Sequence, residues 1–232
     1  MPTARFRHPF FPAAGLLAVC VGMCLVAAPA AAGEGMPAAD AGAPITQVLE
    51  RSQALRLAAL TPVAAGDARL QLLQQGFQQV LAHAPEARGL PVTLQVVTGP
   101  VLAETFHGRV LVVHADLAAR PEGERLFVLA HELGHAVHAD WAAVRAVYRR
   151  HIPAEVVQQR TDPVAALLGR EMSALSHEQE LNADAYAMQV LGRMGYGIEV
   201  AIATLARHGV QPDTPTHPGT RRRLAGLRNA AP

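Results

Sequence analysis

The stretch that most constrains this chain is RLFVLAHELGHAVHAD, Arg125 to Asp140. Leu126, Leu129, Ala130, Leu133 and Val137 recur at the spacing of one helical face, so a helix with a buried stripe is predicted. Set into it is HELGH. Residues four apart lie about 40° apart around a helix and one turn along. His131 and His135 can therefore offer both imidazoles to one metal ion, while Glu132, one step round, reaches a water on it. This is the H-E-x-x-H pattern of zinc hydrolases. The competing reading is two histidines on a partly buried helix, and the rest of the chain decides between them.

The first residues do not belong to the fold. Arg5, Arg7 and His8 make a positive start, Gly15 to Ala28 is uncharged and apolar, and Ala30-Ala31-Ala32 is a small-residue cleavage site. Residues 1–32 read as a secretory signal peptide, which predicts an exported, periplasmic or secreted protein with no membrane span after cleavage. The alternative is an uncleaved anchor, since no charge falls between His8 and Glu34 and that length can span a bilayer. Pro12, Gly15, Gly22 and Pro29 favour cleavage. Both cysteines, Cys20 and Cys24, lie in this leader, so the mature chain carries no disulfide.

All 20 basic residues are Arg, and two of them leave with the leader, so 18 face 19 acidic residues. A near-neutral mature protein argues against nucleic acid as a partner. The Arg145, Arg149, Arg150 group and Arg221 to Arg223 are local runs, read as solvated helix faces.

Residues 33–44 are rich in Ala, Gly and Pro and read as a flexible lead-in, followed by N-terminal helices over 45–90. The first runs from Ile45 to Leu60 with Val48, Leu49 and Leu55 at helical spacing, stopped by Thr61-Pro62. Asp67 caps a second that runs to about His83, with Leu70, Leu73, Phe77, Val80 and Leu81 inward. Character changes at Pro91. Val92 to Val97, Val101 to Phe106 and Arg109 to Val113 are strand-like, turned at His107-Gly108. A small sheet here can offer an edge strand to an extended peptide, or simply pack the metal helix. His107 and His114 are explained by turn and strand-end positions. Beyond Asp140, Trp141 to Arg150 either continues the metal helix or starts another. Asp162-Pro163 opens a helix to about Met172, and Ser176 with Gln179 forms a capping box that opens a separate one to Gly192 or Gly195. Helices from Ile198 to His208 and from Pro218 complete the chain.

On the Ser176 helix Glu180, Ala183, Asp184, Ala187 and Leu191 share a face, small enough for close approach to another helix. Two like charges four apart repel, so a plain surface gives no reason for them. Catalytic zinc takes three protein ligands and a water, and two His with one Glu is a known set. Glu180, 45 residues beyond His135, is the candidate third ligand. Asp184, one turn on, can accept from a ligand imidazole and fix its orientation. His138 is an unconvincing ligand: the long-spaced three-His pattern needs Gly where His138 stands and His where Trp141 stands.

HELGH, SHEQELNADAYA and THPGTRRRL together resemble the zinc metallopeptidase family of the CAAX prenyl endopeptidases and HtpX. The matching positions are His131, Glu132, His135, Glu180, Ala183, Asp184, Thr216, His217, Pro218 and Arg223, across about Pro91 to Leu227. The family's usual Asn-Ala before the metal helix is missing around Ala103-Glu104. The resemblance implies an α+β, mostly helical, zincin-like metallopeptidase domain over 91–228, with a small sheet beside the HExxH helix. It implies one zinc per chain on His131, His135 and Glu180, with Asp184 and Arg223 behind the ligands. Glu132 is then the general base of peptide hydrolysis. His217, brought in by the resemblance, either donates to the oxyanion or caps the zinc until the loop moves. The substrate is a polypeptide, and the expected setting is envelope protein processing or quality control. The alternative function is a secreted, chaperone-like peptide-binding factor with a structural zinc, which would have no use for Glu132.

Overall fold

The structure, a computed structural model, describes residues 43–207 and 209–230. The expected leader, both cysteines and nearly all of the lead-in lie outside the described residues. In chain order the elements are α1 (Ile45–Ala58), β1 (Thr61–Pro62), α2 (Ala68–Ala82), β2 (Thr93–Thr98), β3 (Ala103–Phe106) and β4 (Val110–His114). There follow α3 (Glu122–Val137), α4 (Asp140–His151), α5 (Gln158–Thr161), α6 (Ala165–Arg193), α7 (Ile198–Ala206) and α8 (Thr220–Ala230). The fold is mostly helical with one small sheet, as expected. Among the described residues no helix is long and apolar enough to cross a membrane.

The strands run in the order β1-β2-β4-β3. β2 and β4 are parallel, β3 returns antiparallel to β4, and β1 is antiparallel to β2. Thr61-Pro62, expected only to stop α1, also adds this short fourth strand. β3 is left at the edge. Both residues of its turn, His107 at φ 52° and Gly108 at φ 65°, are left-handed.

α3 lies at the centre. Leu126, Leu129, Ala130 and Leu133 are buried as predicted, but so are Phe127 and Val128 on other sides. The cause is enclosure: α2, α6, α7 and the sheet all pack around this helix. α2 begins as its sequence prescribes, with Asp67 Oδ1 accepting from the Arg69 N–H at 2.8 Å. It buries Leu73, Phe77 and Val80 in the same core.

α1 and α4 form a second apolar cluster with the first half of α6, through Ile45, Val48, Leu49, Val144 and Tyr148. Leu55, expected on that stripe, is 65% exposed. By that point α1 has turned to the outer face of the sheet, where Leu57 and Leu60 meet Val97, Phe106 and Val112.

Of the two readings left open beyond Asp140 the structure takes the second, and the separate helix expected from Ser176 is overturned. α3 does not run on: Ala139 takes a left-handed φ of 56°, and α4 starts anew at Asp140. Ser176 opens no helix. It is buried in the middle of the 29-residue α6. Met172 and Leu175 pack on the α1–α4 cluster just before it, and that burial carries the helix through a polar stretch that would cap a solvent-exposed end.

Candidate active site

His131, Glu132 and His135 of α3 and Glu180 of α6 are all buried. One donor atom from each of His131, His135 and Glu180 lies within 4.8 Å of the others. The two Nε2 atoms are 3.2 Å apart, and each is 3.6 Å from a Glu180 oxygen. Close approach of the helices makes this possible. A Cβ on Gly134 would sit 3.1 Å from Ala183 Cα and 3.2 Å from Tyr186 Cδ1. HELGH thus places a residue without a side chain where α6 crosses.

Each histidine is held from behind. His131 Nδ1 is 3.0 Å from Asp184 Oδ1, and His135 Nδ1 is 2.7 Å from Asp140 Oδ2. Arg223 of α8 donates to both Asp184 oxygens, at 2.7 and 2.5 Å. An ionised carboxylate only accepts, so each imidazole carries its proton on Nδ1 and turns a lone pair at Nε2 inward. Two lone pairs 3.2 Å apart beside a carboxylate repel one another, so a proton or a metal cation belongs between them. That buried two-imidazole, one-carboxylate donor set fits zinc.

The electrostatics distinguish the two rings. Burial raises the Asp184 carboxyl, but the Arg223 charge and its hydrogen bonds overwhelm this and hold it well below the usual range. Burial lowers His131 to about 4. It also disfavours charge on His135, yet the Asp140 hydrogen bond and the Glu180 carboxylate outweigh it and lift this residue to about 9. The surrounding carboxylates thus favour a positive charge at His135, supplied by a proton or by a metal ion in its place. Burial raises Glu132 to about 7, against the pull of His135 and a hydrogen bond from Thr105. The Thr105 hydroxyl on β3 is 2.8 Å from the Glu132 carbonyl and 2.9 Å from its Oε2. Glu132 Oε1 is buried with no hydrogen-bond partner.

His217 reaches the same place from the segment between α7 and α8. Its Nε2 lies 3.7 Å from Glu180 Oε1, without a hydrogen-bond partner, and Thr216 Oγ1 is 2.8 Å from its Nδ1. Burial and the nearby Arg223 depress it to about 3, so it is neutral. The structure therefore brings together His131, Glu132, His135, Glu180, Asp184, His217 and Arg223.

Other histidines stay outside. His138 is exposed at the end of α3, edge-on to Tyr186 with ring centroids 5.6 Å apart. His107 pairs with Glu50 at 2.8 Å, and His114 Nδ1 accepts from the Asp116 N–H at 3.1 Å. Sequence reasoning missed Asp140 and Thr105. Thr105 carried no signal beyond its place in a β-branched strand, and Asp140 only its nearness to HELGH.

Residues 78–231 match the model of peptidase family M48, and the chain belongs to that family. The resemblance read from the three motifs is borne out. Among solved structures the chain is similar to a crystal structure of S. mikatae Ste24p, at 17% identity and a TM-score of 0.47. The likeness covers 79% of this chain, which spans 56% of that one. No curated protein matches.

Proposed function

We propose that this peptidase is a zinc-dependent endopeptidase with His131, His135 and Glu180 as its metal ligands. The observation that carries the reading is the buried convergence of these three donors beside Glu132, with both imidazoles oriented by carboxylates. Bound there, zinc supplies a Lewis acid that acidifies a water and polarises a peptide carbonyl. Glu132 accepts the proton of the attacking water and delivers it to the leaving nitrogen. Its elevated proton affinity suits a group that must both take and return a proton. Thr105 steadies that carboxylate from β3. A purely structural metal site would leave Glu132 buried with an unused oxygen, which favours the enzyme over the peptide-binding alternative.

His217 donates from Nε2 to the oxyanion as it forms, a contact worth about 3 kcal/mol in comparable sites. The opposite role, capping the metal until the loop moves, calls for a lone pair on the same atom. A polypeptide substrate is added to the sheet at β3. The His114 N–H donates to the Leu102 carbonyl at 2.7 Å. By antiparallel alternation, Ala103 and Thr105 then direct their backbone groups away from β4; both residues are buried, so a peptide pairing there must first displace what covers them. The leader read at residues 1–32 supports export and work on envelope proteins.

The decisive experiment is cleavage of casein or a quenched peptide, with zinc content, for wild type and Glu132→Gln. The variant should fold and hold zinc but lose 100-fold or more in rate, taking ~10²–10⁴ as the range for a general base. Cleavage near the wild-type rate would sink the mechanism. His217→Ala separates the two roles by sign: turnover falls if His217 serves the oxyanion and basal cleavage rises if it caps the metal.

A further inference from the structure

We infer that His177 is the positioning residue that seats the His217 loop against the metal-ligand helix. The inference rests on the proposed role of His217 and adds the means by which that side chain is kept in place.

The segment from Gln211 to Thr220 is closed on itself. The Thr214 N–H donates to the His217 carbonyl at 2.8 Å, and the His217 N–H donates to Thr214 Oγ1 at 3.0 Å. Asp213 Oδ1 accepts from the Gly219 N–H at 2.6 Å. At the neck, the Thr220 N–H donates to the Gln211 carbonyl at 3.0 Å, and the Gln211 N–H to Thr220 Oγ1 at 2.9 Å. Gly219 is required there, because a Cβ would lie 2.6 Å from the Gln211 carbonyl oxygen. A loop with its own hydrogen bonds moves as a unit, so its position depends on what ties it to the body.

The tie comes from α6. His177 is buried three residues before Glu180, on the same side of the helix. Its Nδ1 is 3.0 Å from Arg222 Nη1, and its Nε2 is 2.7 Å from the Thr214 carbonyl oxygen. A guanidinium only donates, so Nδ1 accepts and the ring proton sits on Nε2. Nε2–H then donates to the Thr214 carbonyl, and both ring nitrogens are used. Arg222 closes the circuit, with the same Nη1 3.5 Å from Asp213 Oδ2.

Thr214 is the residue to which His217 is bonded twice through the backbone and hydroxyl. Holding the Thr214 carbonyl therefore fixes where the His217 ring falls, near Glu180 Oε1. His177 touches neither the donor set nor Glu132; it acts through the loop.

The test uses the full zinc-loaded protein and two variants. His177→Phe keeps the ring and removes both hydrogen bonds, whereas His177→Gln keeps a donor for Thr214 and an acceptor for Arg222. Three measurements are made: amide hydrogen exchange over residues 210–219, zinc content, and kcat and KM on a quenched peptide. For His177→Phe the loop should exchange about tenfold faster or more, as the loss of both hydrogen bonds implies. Zinc content and protection of α3 and α6 should stay as in wild type. kcat should fall with KM unchanged, because an oxyanion contact is made only in the transition state. His177→Gln should restore both loop protection and kcat. Unchanged loop exchange in His177→Phe would overturn the inference. So would faster exchange spread through α3 and α6, which marks ordinary packing. Faster loop exchange with kcat unaltered, in both His177→Phe and His217→Ala, would uphold the seating and remove His217 from catalysis.

Discussion

Asp140 follows His135 by five residues, yet its Oδ2 lies 2.7 Å from His135 Nδ1. On a straight helix five residues amount to about 140° of rotation, which would point the carboxylate away from the ring. The left-handed Ala139 turns the chain back and makes the contact. Asp140→Asn should weaken zinc affinity about 10–100-fold, the usual effect of losing a ligand's carboxylate partner, with helix content unchanged. Competition against a chelator measures this. Wild-type affinity in the variant would make Asp140 a plain helix start.

Glu180→Ala should retain little zinc after dialysis, because only two imidazoles would remain of the three converging donors. Elemental analysis of the purified variant checks it. Asp184→Asn should show a milder loss, about 10–100-fold in affinity or activity. If Glu180→Ala keeps one zinc per chain at wild-type affinity, the third ligand lies elsewhere.

Glu104 gives the pH dependence of stability. Its Oε2 lies 2.5 Å from Arg56 Nη2, while Oε1 is buried with no hydrogen-bond partner. Burial dominates and lifts the carboxyl to about 8, despite Arg56. An unfolded Glu titrates near ~4.3, so between the two values the unfolded chain binds fewer protons. Stability is therefore lost as pH rises through that window, and the group is neutral in effect below it. Glu104→Gln should raise Tm by several degrees near pH ~8 and hardly at all near pH ~4. Thermal melts at both values decide. A Tm lowered at the higher pH would mean that Glu104 is held ionised by Arg56.

What the sequence disclosed follows from periodicity. HELGH, Glu180 with Asp184, the Asp67 cap and the His107-Gly108 turn are local patterns, and each sits where its spacing predicts. What it hid depends on tertiary packing. An Ala in a left-handed conformation has no signature, since glycine, Asn or Asp would be expected there. Ser176 and Gln179 look like a capping box because the burial that keeps α6 intact is invisible locally. The Arg56–Glu104 and His177–Thr214 contacts join residues 48 and 37 apart, which no window along the chain can see.

The donors come from two helices whose histidines and glutamate are 45 residues apart in the chain, and their supports come from α4 and α8. An ion held across α3 and α6 ties together segments that would otherwise separate on unfolding. With free ion about a thousandfold above its dissociation constant, this adds about 4 kcal/mol. The whole margin of a typical domain is only about 5–15 kcal/mol. A chelator should therefore lower the melting temperature as well as stop cleavage, and a chain that has not acquired its ion is the form most open to digestion by neighbouring proteases. On the proposed metal site, metal supply would set how long this protein survives, not only whether it cuts.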